Sequence, residues 1–305
     1  MNQPELMKKW YSKSTIIYEI VYNFLGDRET AFLRPKHTRK TGGQNYQDMF
    51  RDINIYTPQG FNYYLDQLFI LETDIIMNCY YSLAKYKEGV PKGNKSLKLK
   101  NEEQKKWKDT HHYHMISYDL LIDIDSPDHE NMSHAKHATK KVIEYLDENL
   151  IPYYLRFSGM GYHIVIPHEA FEHLSWHFNP DKDQENSIYS KYNQFTQYLH
   201  DNISELVDTD LHDCRRITKV PYSLVFYQRN TYVCWPFKTK KEFMLHKYRD
   251  FQLLNQFLRF SGFQNCFKRG QTLFNEQTWR PEYTTKLLKR MKVIKDGEEK
   301  KDVGR

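Results

Sequence analysis

Cysteine is scarce: four in 305 residues, at positions 79, 214, 234 and 266, with no C-x-x-C pair among them. Thiols so spaced argue against a disulfide framework or a zinc knuckle and fit reduced cysteines in an intracellular chain. Long apolar runs are lacking too. The stretch from Met1 to Trp10 is polar and charged rather than signal-like, and no window reaches the roughly 20 apolar residues of a membrane span. A soluble, cytoplasmic protein with no membrane partner is therefore expected. No internal repeat is visible. Nor does acidic charge dominate: 45 Lys and Arg stand against 39 Asp and Glu, a net +6, beside 24 Tyr and 18 Phe. Cations neutralise phosphates and flat rings stack on bases, so the mixture suits a nucleic-acid partner, although tyrosines also fill cores and moderate basicity fits many partners. A chain of this length buries a core without staples, as one large domain or two small ones.

Apolar spacing predicts helices over Ile16 to Leu25 and Phe61 to Leu71, the second opened by Thr57 and Pro58 as cap and first-turn residue. Between them RPKHTRKTGG, Arg34 to Gly43, reads as a basic loop, either near phosphates or simply solvated. The lysine-rich stretch beginning at Pro91 and running to about residue 110 has no clear period and reads as exposed loop. YDLLIDID, Tyr118 to Asp125, is a short strand broken by Ser126, Pro127 and Asp128. Ala135, Ala138, Val142, Leu146 and Leu150 then recur at helical spacing until Pro152, and Tyr153 to Phe157 is a second strand. SGMG joins it to YHIVIP, a hairpin signal that brings the second pair of strands beside the first. Tyr189 to Leu206 is helix-periodic, Arg216 to Pro236 turns to strands, and the last 70 or so residues read as helical before a charged tail. The expected class is α/β (α+β), organised as residues 1–236 with a helical extension over 237–305.

Three segments carry chemistry. Asp123 and Asp125 lie two apart in a strand, so both carboxylates project to one side, and hard cations such as magnesium or manganese take such oxygens together with phosphates and water. Alone, D-x-D also fits a solvent-facing strand end, a nuclease or a glycosyltransferase. In SGMGYH, Gly159 and Gly161 leave backbone amides open to a phosphate beside Ser158 and His163, or form an ordinary tight hairpin. In DCRRITKVPYSL, Asp213 adds an acid and Arg215, Arg216 and Lys219 add cations, which suits metal-triphosphate chemistry or a salt-bridged surface strand.

In this order the three segments resemble the small catalytic subunit of archaeo-eukaryotic DNA primases and the wider primase-polymerase superfamily. Asp123-Ile124-Asp125, Ser158 to His163, and Asp213 followed by Arg216, Lys219, Pro221 and Ser223 match its three motifs in turn, and GDRETAF and NCYYSLAKY extend the likeness upstream, so it spans roughly Gly26 to Pro236. The resemblance implies an RRM-like β-α-β-β sheet packed on an N-terminal mixed unit. It implies two divalent ions, Mg2+ or Mn2+, held by Asp123, Asp125 and Asp213. It assigns the triphosphate to Ser158, His163, Arg216 and Lys219, with Gly159 and Gly161 shaping the pocket. Asp210 is a rival to Asp213 but lacks the spacing to the cations that follow. Lys219 stands where arginine is commoner, keeping charge without the bidentate fork. Many members carry a zinc site; Asp128, His129, His134 and His137 are a poor substitute, and no structural zinc is expected. The implied activity is template-directed primer synthesis on single-stranded DNA from nucleoside triphosphates, with a primase large subunit, helicase or other replication protein as a candidate partner. A gap-filling repair polymerase of the same fold and a non-catalytic nucleic-acid-binding module remain open.

Overall fold

The computed structural model describes residues 9–35, 47–71, 78–89, 112, 114–127, 132–179, 183–227, 230–252 and 271–295. The basic loop beyond residue 35, the lysine-rich stretch, Asp128, His129 and the charged tail lie outside the described residues. The chain is mixed α and β with antiparallel pairing, and it divides into two compact units. The first comprises Met1–Lys92, Arg156–Gly159 and Ile217–Gln271; the second comprises Gly93–Leu155, Met160–Arg216 and Thr272–Arg305.

In the first unit, α1 (Ser14–Ile20) widens into a π-helical turn over Val21–Leu25, closed by a 3.4 Å bond from the Gly26 amide to the Val21 carbonyl. One apolar stripe predicts a single helix here; the change of pitch is a backbone feature that the stripe does not encode. Strand β1 (Arg28–Pro35) pairs antiparallel with both β2 (Gln47–Ile53) and β3 (Asn78–Tyr86). Between β2 and β3, α2 (Pro58–Leu71) starts as predicted, with Thr57 Oγ1 accepting the Gly60 amide at 3.1 Å. A buried cluster including Trp10, Ile16, Ile20, Phe32, Phe61 and Tyr222 fills the unit, each large side chain contributing about 2–3 kcal/mol of transfer free energy. Arg28 and Arg156 set their guanidinium groups 5.1 and 5.4 Å from the Tyr81 ring centroid, and both are buried.

The second unit holds β4 (Met115–Tyr118), β5 (Leu120–Asp125) and α3 (Ser133–Glu148). Ala135, Ala138, Val142 and Leu146 form the buried stripe of α3, as their spacing predicts. Leu150 leaves that stripe: the helix closes at Glu148 and Leu150 takes φ +55°, with its amide on the Asp147 carbonyl. The division between the units falls inside β6 (Tyr154–Phe157). After residues 158–160, β7 (Gly161–Ile166) runs antiparallel to β5 from Leu120↔Ile166 to Asp125↔Gly161. Next, α4 (Ile188–Asn202) buries Tyr192, Phe195 and Leu199 and is capped by Ser187, whose hydroxyl accepts the Ser190 amide. Tyr192 sits among aromatic rings, 4.9 Å from Phe171 and 5.9 Å from Trp176.

Back in the first unit, β8 (Ile217–Lys219) adds to β3 and β9 (Leu224–Tyr227) pairs with β10 (Asn230–Val233). Strand β11 (Trp235–Pro236) pairs with Arg156 and Phe157, and α5 (Lys240–Leu245) follows. The C-terminal stretch is helical in part only: α6 (Pro281–Arg290) belongs to the second unit, while Phe274 forms an isolated bridge with Tyr153 there. Among the described residues no helix is long and apolar enough to cross a membrane.

Candidate active site

Strand β5 enters the second unit apolar and ends acidic. Leu120, Leu121 and Ile122 are buried, Asp123 is half-buried and Asp125 is exposed. Its antiparallel register with β7 sets Asp123 opposite His163 and Asp125 opposite Gly161. Residues directly opposite in an antiparallel pair share a face, so both carboxylates, the imidazole and the glycine stand on one surface of the ladder. The pairing is close. His163 Nε2 lies 3.3 Å from Asp123 Oδ1, with only 4% of the His163 side chain and 17% of the Asp123 side chain exposed.

Gly161 is required by contact. A Cβ there would land on the Ile124 carbonyl oxygen and 2.7 Å from Asp125 Oδ1. Two residues earlier the reason differs: Gly159, in the first unit, has φ +97°, and a Cβ would meet Val225 Cγ1 at 2.8 Å. Backbone conformation and packing thus demand that glycine without any phosphate being present. Ser158 also belongs to the first unit and is fully buried, and Lys219 lies half-exposed on β8 opposite Tyr80.

The third segment stays in the second unit as far as Arg216. Asp213 is exposed; its Oδ1 accepts the Arg215 amide at 2.6 Å, and its carbonyl accepts the Tyr118 hydroxyl at 2.8 Å. Arg216 follows on a turn, its amide 3.3 Å from the Asp213 carbonyl. Asp210 takes φ +54° and is engaged by Asn193 on α4. His134 and His137 lie exposed in the first two turns of α3. Among the described residues, no three His, Cys, Asp or Glu side chains are grouped so as to hold a metal ion by themselves.

One acid escapes the sequence reading. The Asp208 amide donates to the Asp123 carbonyl at 2.9 Å, next to an antiparallel bridge between Ile124 and Val207. Asp208 is therefore opposite Asp123 on the edge of β5 away from His163, and its carboxyl senses its surroundings. Burial chiefly, and then the Asp123 charge, raise its pKa, while Arg216 opposes the shift. No motif announces Asp208, because a residue on an irregular edge acquires a partner only through register. Close by, His212 is fully buried, with Nε2 3.1 Å from the Leu121 carbonyl, and burial depresses its pKa to about 3. It is neutral at ordinary pH and serves as a hydrogen-bonding wedge behind Asp213.

No protein-family model matches the chain, and no curated protein matches it. Among solved structures, the polymerase domain of Mycobacterium tuberculosis ligase D in complex with DNA is similar at 12% identity and a TM-score of 0.44, covering 83% of this chain and 88% of that one. At that TM-score the likeness carries no inference.

Proposed function

We propose that the second unit carries a metal-dependent nucleotidyl-transfer site and that the chain is the catalytic part of a template-directed nucleic-acid polymerase, a DNA primase by the order of its motifs. The observation that carries this reading is the β5/β7 register, which sets Asp123 and Asp125 of the first motif beside His163 and Gly161 of the second. A surface salt bridge or a nuclease-type acid pair explains Asp123 and Asp125 but not why a glycine and a buried imidazole stand opposite them in that order.

The residues fit a divalent ion. Both donors are carboxylate oxygens, the hard ligands that Mg2+ and Mn2+ prefer, and Gly161 leaves the space beside Asp125 that a side chain would fill. Asp123 and Asp125 would hold it, with Asp213 as the third acid from this chain and substrate phosphates and water completing the shell. When bound, such ions polarise a 3′-hydroxyl and the α-phosphate and neutralise charge on departing pyrophosphate. His163, with Nε2 3.3 Å from Asp123 Oδ1, stands beside that carboxylate and orients it. Arg216 supplies the cation that offsets phosphate charge close to Asp208 and Asp213. For Ser158, Gly159 and Lys219, which belong to the first unit, a triphosphate-binding role rests on the motif resemblance alone; Lys219→Met tests it, with a raised KM for nucleotide as the expected result.

The partners of this activity are a single-stranded DNA template and nucleoside triphosphates. Primed and unprimed templates run in parallel separate primase from gap-filling polymerase, since only primase needs no 3′ end. Asp123→Ala and Asp125→Ala are each expected to reduce incorporation by at least about 10³-fold while circular dichroism and the unfolding midpoint hold. Incorporation retained in either variant contradicts the assignment.

A further inference from the structure

We propose that Asn193, on α4, is the positioning residue for Asp213; the proposal rests on the nucleotidyl-transfer reading. From Asp208 to Arg216 the chain forms neither helix nor strand, so regular pairing does not fix the Asp213 carboxylate. One side chain captures both polar groups of the residue before it. Asn193 Oδ1 accepts the His212 amide at 2.9 Å, and Nδ2 donates to the His212 carbonyl at 3.3 Å. The same Nδ2 donates to Asp210 Oδ1 at 3.2 Å, holding a non-glycine residue at φ +54°. An amide side chain is the group that presents donor and acceptor together in one plane, and here it reproduces the pairing a neighbouring strand would give.

The remainder of the clasp comes from the core. The His212 ring packs edge-on against Tyr192 at 5.3 Å and Tyr118 at 6.0 Å. Tyr118 donates to the Asp213 carbonyl, and Tyr192 donates to the Tyr118 carbonyl at 3.0 Å. Residues 212 and 213 are thus held from α4 on one side and from β4 on the other. Partners that orient an ion's ligands govern its affinity while touching neither ion nor substrate, and their loss typically costs 10- to 100-fold in binding.

The test is Mn2+ binding to the full chain, read from the electron paramagnetic resonance signal of free Mn2+, with thermal unfolding alongside. Asn193→Leu, nearly the same size and unable to hydrogen-bond, is expected to weaken binding about 10-fold with the unfolding midpoint within a few degrees of wild type. In an Asp213→Asn background the same change is expected to do nothing further, which a merely structural role would not produce. Should Asn193→Leu fail to fold, Asn193→Ala removes the same hydrogen bonds without adding bulk or charge, and a loss confined to the chain that keeps Asp213 supports the proposal. Unchanged Mn2+ binding in the Asn193 variants while Asp123→Ala loses it, or an equal loss in both backgrounds, overturns the positioning role alone. Binding that survives Asp123→Ala overturns the nucleotidyl-transfer reading and the proposal with it.

Discussion

At the scale of single residues, the two glycines of SGMGYH do different work. Gly161→Ala drives a Cβ into the Ile124 carbonyl oxygen, which the β5/β7 ladder holds in place, and against the exposed Asp125 carboxylate. It is expected to cost about 2–4 kcal/mol in denaturant unfolding and to remove activity with it. Gly159→Ala meets a left-handed φ and the Val225 side chain instead. Pairing it with Val225→Ala should recover the steric part and leave the backbone part, so the double-mutant cycle shows favourable coupling on the order of 1 kcal/mol; strict additivity would mean that Val225 is not the obstacle. Asp208→Asn removes one charge opposite Asp123 without touching the motif acids. Synthesis should survive with the Mn2+ midpoint raised roughly 3- to 10-fold, and an unchanged midpoint would exclude Asp208 from the site.

Among elements, β5 and α3 are the most legible from sequence, for physical reasons. An apolar run ending in acids, then a breaker, then a stripe at helical spacing leaves each local signal in agreement with the next. Alternation of faces along β5 is by itself enough to put both carboxylates on one side. What the sequence could not reveal depends on register or on non-local contact. Asp208 gains its neighbour because residue 207 bridges Ile124, and Asn193 gains its role because α4 packs beside residues 210–212. Neither lies in a motif. The pairing of β1 and β2 gives a further test of element energetics. Arg51 forks onto fully buried Glu29 with bonds of 2.8 and 2.9 Å. Arg51→Met leaves that carboxylate without its bidentate partner and is expected to destabilise by about 2–3 kcal/mol, measured by urea unfolding; a loss below about 0.5 kcal/mol would mean that the fork contributes nothing net.

Across the whole molecule, neither unit is one continuous segment, and the C-terminal stretch is divided, Thr272–Arg305 falling in the second unit and the part before it in the first. Tyr153 and Phe274 exchange two backbone hydrogen bonds, at 2.9 and 3.3 Å, and stack with centroids 5.2 Å apart. Asn275 Nδ2 donates to the Ile151 carbonyl at 2.9 Å, and buried Lys191 donates to the Val293 carbonyl at 2.9 Å. Residues 272–295 therefore make contacts inside the second unit, at Ile151, Tyr153 and Lys191. Deleting them is expected to leave a chain without a cooperative transition in thermal unfolding, whereas a truncated protein that melts sharply near the wild-type midpoint would show the segment to be dispensable.

On the proposed function this chain joins nucleotides on a template through Asp123 and Asp125. The most direct measurement incubates the purified full chain with single-stranded DNA, labelled nucleoside triphosphates and Mn2+, with and without a primer, beside the Asp123→Ala protein. Short template-dependent products from the wild type on unprimed DNA, absent with Asp123→Ala, are the predicted result. Equal products from both proteins, or none from the wild type on either template, would contradict it.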